Sequence, residues 1–204
     1  MGRVANRVSL YRVSLGCAAA PGLGCGVRAK PLLLALERAP AVAEAWLNRQ
    51  GTLLAVVWAK ASTPKLYAGS VPPVLKKKGM VAKELVGKAR GKALEDFTTR
   101  RGWYQGARID SLSKKEAEII ARRLVHRVRA AVRLSDEQAE SLLTVFAPAC
   151  MQELTRNAGG SARLRKAWIA TAILNAGRAE LDGAGIVALR RAVARGHRPL
   201  PGEK

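Results

Sequence analysis

Apolar and polar residues alternate at period two over residues 8–15, Val-Ser-Leu-Tyr-Arg-Val-Ser-Leu, and this predicts a first strand. A Gly- and Ala-rich loop follows over 16–26. Leu32, Leu33, Ala35 and Leu36 then recur at helical spacing behind Pro31, which suits a first helical turn, and Pro40 ends that helix. Residues 42–48 and 52–59 predict two more strands, joined by Arg49-Gln50-Gly51 as a turn. The run Thr-Leu-Leu-Ala-Val-Val-Trp over 52–58 is apolar almost throughout, as in a strand covered on both faces. Pro72 and Pro73 open a short helix through Lys78, Gly79 stops it, and 81–86 supplies a last short strand.

From residue 113 the period becomes helical. Ser113-Lys-Lys-Glu116 and Ser135-Asp-Glu-Gln138 read as capping boxes, each a serine with Glu or Gln three residues on. Ala117, Ile120, Ala121, Leu124, Val128 and Ala131 then form one apolar stripe, which predicts a helix over 113–133 with an arginine face. The next helix has Leu142, Leu143, Val145 and Phe146 as core candidates, and Pro148 is expected to kink or end it. After the break at Asn157-Ala-Gly-Gly160, a third helix over 161–176 is apolar at Leu164, Ala167, Trp168, Thr171 and Leu174. Asp182 caps a fourth, with Ile186, Leu189 and Val193 inward and Arg190, Arg191 and Arg195 outward.

The predicted fold class is therefore α+β. The order β-α-β-β-α-β over residues 1–88 describes a ferredoxin-like sandwich, with helices on one face of an antiparallel sheet. A basic connector is expected over 89–111, a helical bundle over 112–196, and a mobile Pro/Gly-rich tail over 197–204.

A resemblance rests on the loop after the first strand. Gly22-Leu23-Gly24-Cys25-Gly26-Val27-Arg28 sits where heavy-metal-associated domains place Gly-Met-x-Cys-x-x-Cys, Pro40-Ala41-Val42 falls where they have Pro-Gly-Val, and Asn48 matches an Asn that ends their second strand. Residues 8–86 thus resemble that family of copper-handling modules. The resemblance implies a soft-metal site, copper or another, that uses Cys25. Here Leu23 replaces the methionine and Arg28 the second cysteine, so a second thiolate would have to come from Cys17. Arg28 at a helix start instead favours an anion.

Charge changes the picture more than composition does. Thirty-six Lys and Arg against fifteen Asp and Glu leave a net +21. Residues 1–110 hold nineteen basic and six acidic side chains, or +13; residues 111–204 hold seventeen and nine, or +8. Charge spread in this way over two folded halves points to a polyanionic partner, nucleic acid first, RNA or DNA, within a larger protein assembly. Aromatics make up only 4% of the chain, so aliphatic residues must fill the core.

The candidate contacts are Lys76, Lys77, Lys78, Arg100 and Arg101, with Trp103 and Tyr104 placed to stack on bases. In the helical half they are Arg122, Arg123, Arg127, Arg129, Arg133, Arg163, Arg165 and Lys166. Three cysteines and two histidines cannot build a disulfide scaffold or a four-ligand zinc site. His126 lies among arginines, His197 lies in the tail, and no carboxylate pair stands out, so a non-enzymatic protein with no cofactor is expected. Every apolar run is interrupted by charge, so no membrane span is predicted. Arg3, Arg7 and Arg12 precede the first acid, Glu37, as in a transit segment. The apolar patch over 13–20 is too short for a secretory core, and a cytoplasmic location is expected.

Overall fold

The computed structural model describes residues 7–60, 64–77, 79–156 and 161–203. Two compact units divide the chain: Met1–Cys17 with Gly22–Leu112, and Ala18–Pro21 with Ser113–Lys204. Among the described residues the fold is mixed, with seven helices and a five-strand antiparallel sheet.

In the first unit, β1 (Val8–Arg12), β2 (Val42–Asn48), β3 (Leu53–Trp58), β4 (Lys83–Glu84) and β5 (Trp103–Tyr104) lie in the order β4-β1-β3-β2-β5. Every neighbouring pair is antiparallel. The bounds of β2 are those read from the sequence. The alternation over 8–15 outlasts β1 itself: the N–H groups of Val13 and Leu15 still donate to the carbonyls of Thr52 and Gly51, which keeps both side chains buried and Ser14 exposed.

The turn after β2 is fixed by one buried side chain. Asn48 Oδ1 accepts from the N–H groups of Thr52 and Leu53, both at 2.9 Å, while its amide donates to Gln50 and to Thr52 Oγ1. Gly51 adopts φ +71°, and a Cβ there would lie 2.5 Å from the Leu15 carbonyl oxygen, so glycine is required twice over.

Two helices depart from expectation at their starts. The first, α1 (Gly26–Glu37), begins five residues before Pro31, because Cys25 is extended and its carbonyl already accepts from Ala29 N–H. The second, α2 (Pro64–Lys77), contains Pro72 and Pro73 instead of starting at them, and the buried Val71 and Leu75 anchor that stretch. Helix α1 packs on β2, and α2 on α1.

The segment expected as a connector is ordered structure. Helix α3 (Gly87–Thr98) sets Ala93 and Phe97 against Val8, Leu10, Ala55, Val57, Leu85 and Trp103 in a single apolar cluster. Residues of opposite parity, Tyr11, Leu54, Val56, Ala45 and Leu47, are buried too. The sheet is thus covered on both faces, as the apolar run of β3 implied, and not on one face only.

Helix α4 (Asp110–Arg129), which belongs to the second unit from Ser113 onward, starts a turn earlier than the capping box suggested. Ser113 and Glu116 therefore lie buried inside a helix, and Ser113 caps nothing. The second box forms as read: Gln138 N–H donates to Ser135 Oγ, and Ser135 N–H donates to Gln138 Oε1. Helix α5 (Asp136–Arg156) carries Pro148 within it and buries Leu142, Phe146, Cys150 and Leu154 on one face.

Helix α6 (Ala162–Gly177) is capped by Ser161, as Leu164 N–H donates to its hydroxyl. The core face of α6 is Ile169, Ile173 and Gly177. Leu164 is half exposed, so the apolar stripe expected there is displaced around the helix. Gly177 allows the close approach, since a Cβ at that position would meet Leu189 Cδ2 at 2.4 Å. Helix α7 (Gly183–Ala194), capped by Asp182, buries Leu189 and Val193 and exposes Arg190, Arg191 and Arg195 as predicted.

Candidate nucleic-acid interface

The structure sorts the candidate cations into those spent inside the fold and those presented to solvent. Lys76 and Lys77 end α2 and are exposed; Lys78 lies outside the described residues. Arg100 is corrected to a structural role. Its guanidinium carbon stands 3.8 Å from the Phe97 ring centroid and 4.6 Å from that of Trp46, and Glu44 pairs with it at 3.2 Å. Burial lowers its pKa, against the charge of Glu44, which raises it.

Trp103 is corrected as well. It is buried, meets Phe97 edge-on at 4.9 Å, and donates from Nε1 to Asp96 at 3.0 Å, so its ring is not open to a base. Tyr104, half buried, pairs in register with Leu47 on the sheet edge. Arg101 is exposed.

Around Cys25 the loop folds back on itself. Gly16 and Gly24 form an antiparallel bridge, Cys17 N–H donates to Leu23 O, and Cys25 N–H donates to Leu15 O, both at 2.7 Å. Cys17 and Cys25 therefore sit diagonally on one face of that bridge, the first buried and the second half buried. Arg28 is exposed in the first turn of α1, which holds no acidic residue. No group of three or more His, Cys, Asp or Glu that could hold a metal ion occurs among the described residues.

On α4 the expected arginine face divides in two. Arg122, His126 and Arg129 are exposed, with Arg129 paired to Asp136 at 2.8 Å. Arg133 is exposed too but lies beyond the helix end, so the row is shorter than a helix over 113–133 would make it. Arg123 and Arg127 are buried, their side chains 4% and 2% exposed, and they are corrected from phosphate contacts to internal clamps.

Arg127 donates to the carbonyls of Ala192, Gly196 and Arg198 and, from Nε and Nη2, to both carboxylate oxygens of Glu203 at 2.8 and 2.7 Å. Arg123 donates to the carbonyls of Ala19 and His197, both at 2.7 Å. These bonds hold residues 196–203 in place, so the tail expected to be mobile is fastened. The bidentate bond from Arg127 holds the Glu203 carboxyl down at about 2, helped by the Leu200 N–H and by Arg123. Burial, with Lys166, Arg127 and Arg123 nearby, lowers His197 to about 4 and keeps it neutral.

Sequence reading missed Glu203 as a structural residue. The available signal was its isolation: it is the one acid after Asp182, set among Arg190, Arg191, Arg195 and Arg198. On α6, Arg163 and Lys166 are exposed and Arg165 is half buried. Beside α4 lies a cavity of about 720 Å3 lined by Ile119, Arg122, Arg123, His126, Ala20, Pro21, Pro199, Gly202 and Glu203, all of the second unit.

Cys150, buried and near Glu116, has its thiol pushed up to about 12, which makes it unreactive. Among the described residues no helix is long and apolar enough to cross a membrane. Comparison with protein-family models finds none that matches, and comparisons with curated proteins and with solved structures also find no match, so the functional reading rests on this geometry alone.

Proposed function

We propose that this protein binds nucleic acid without catalysing a reaction, as a cytoplasmic component of a ribonucleoprotein or DNA-handling assembly, through backbone phosphates. One observation carries the reading: α7 buries Leu189 and Val193 while presenting Arg190, Arg191 and Arg195 outward, whereas the arginines that the fold needs, Arg123 and Arg127, are enclosed. Arg122, Arg163 and Lys166 add exposed charge on the same unit. Contacts of this kind position a strand but carry no base code, so recognition is by backbone and shape.

Filter binding of a single strand and of a duplex against salt tests it. Log affinity falls steeply with log salt, with a slope that implies several released counterions. Absence of binding at low salt, or a slope near zero, removes the proposal.

The first unit supports a ferredoxin-like reading in its strand order β4-β1-β3-β2 and its element order, with α3 and β5 as additions. Within it a second function has one observation in its favour. The Gly16–Gly24 bridge places Cys17 and Cys25 on one face, and two thiolates suffice for copper(I) or another soft metal. Copper(I) competition with wild type and Cys25→Ser tests this: equal affinity of the two proteins contradicts it.

A further inference from the structure

The cavity beside α4 carries an inference that deepens the nucleic-acid reading and rests on it. At about 720 Å3 it falls within the range of small-ligand sites. Its walls divide by chemistry: Ile119, Ala20, Pro21 and Pro199 are apolar, Arg122 brings a guanidinium, and His126 brings an imidazole that can donate a hydrogen bond. Arg122 and His126 are both exposed and stand four residues apart on α4, neighbours on one helix face about 6 Å apart along the axis, close enough to converge on a single anion.

Glu203 also lines the cavity, but its charge is already matched. It accepts from Arg127 twice and from the Leu200 N–H at 2.8 Å, and Arg123 Nε stands 3.9 Å away. The lining therefore stays attractive to anions. The cavity is half open, which leaves room for a single nucleotide or the end of a strand. A terminal phosphate also carries close to two charges at neutral pH, which suits a guanidinium fork beside an imidazole. The apolar walls give the attached base a surface to rest on.

We propose that this cavity takes a 5′-phosphorylated nucleotide, its phosphate at Arg122 and His126 and its base against Pro21, Pro199 and Ile119. The terminal nucleotide of a strand and a free nucleoside monophosphate offer the same chemistry. Anisotropy titrations with a short single strand, as RNA and as DNA, bearing either a 5′-phosphate or a 5′-hydroxyl, separate the two sources. Equilibrium dialysis with 5′-AMP accompanies them.

Wild type binds the 5′-phosphorylated strand about tenfold tighter than the 5′-hydroxyl strand, as a charge-assisted contact would give. Arg122→Gln/His126→Gln binds the two strands alike, and Arg122→Lys keeps part of the difference. Because Arg122 and His126 are exposed, the double variant folds, and its thermal melt checks that. Equal strand affinities together with 5′-AMP binding that the double variant loses would assign the cavity to the free nucleotide and overturn the strand-end source. Equal strand affinities with no 5′-AMP binding overturn the cavity proposal and leave the nucleic-acid reading standing. No binding of either strand overturns that reading itself.

Discussion

The two units solve the same problem, an arginine drawn into the interior, in different ways. In the first, Arg100 lays its guanidinium over Phe97 and Trp46 and keeps one side toward solvent and Glu44. In the second, Arg127 is enclosed and must satisfy every donor, which it does with three backbone carbonyls and a carboxylate. A stacked cation is a local packing device. An enclosed one organises a whole segment, since residues 196–203 are held by what Arg123 and Arg127 need. Net charge does not distinguish these arginines from those available to a partner; burial does.

Removing the enclosed cation gives the largest effect. Arg127→Met removes the five bonds donated to Glu203 and to the Ala192, Gly196 and Arg198 carbonyls and lowers the stability of the helical unit by about 3 kcal/mol. Urea unfolding followed by circular dichroism measures it, with limited proteolysis cutting within residues 196–203. A loss below about 1 kcal/mol would mean that the clamp is incidental.

Acid sharpens the same point. Glu203 has a folded pKa depressed from 4.5 to about 2, so its contribution is present above pH 4.5 and disappears as pH falls toward 2. His197, depressed from 6.5 to about 4, is neutral when folded, so stability also declines as pH falls from 6.5 toward 4. The melting temperature of the helical unit should therefore drop in two stages on acidification. His197→Gln removes the upper stage, and Glu203→Gln removes the lower one. A flat profile between pH 6.5 and 3 contradicts both assignments.

The weak point of the sheet unit is backbone, not charge. Gly51→Ala forces a side chain into a left-handed conformation and against the Leu15 carbonyl, and costs about 2 kcal/mol. Arg100 is the smallest case. Arg100→Met forfeits about 1 kcal/mol of cation–π attraction. Arg100→Gly loses the same contact but relieves the residue's φ of 55°, so it should come out closer to wild type than Met does. The reverse ranking would show that the apolar packing Met keeps against the rings outweighs the strain that Gly relieves.

What was legible in the sequence followed period and caps. The alternation around β1, the bounds of β2, the Ser135 box and the Asp182 cap are local signals, and each forms as read. What was hidden depends on distant partners. Helix α3 buries Ala93 and Phe97 and adds the partly buried Leu94, and it becomes helix against a sheet face that no short window contains. Arg123 and Arg127 read like Arg122 and Arg129 because all sit on one helix, and only the tail and its lone acid decide which turn inward. Trp103 looked like a stacking platform until Phe97 and Asp96 claimed it.

The division of arginines into enclosed and outward sets is tested most directly by one variant. Arg190→Gln/Arg191→Gln/Arg195→Gln removes the outward face of α7 and touches none of its buried residues. Its melting temperature should stay within a degree or two of wild type, while affinity for a single strand falls and the salt slope flattens by about two to three units. Unchanged affinity and slope in a folded variant would contradict the account.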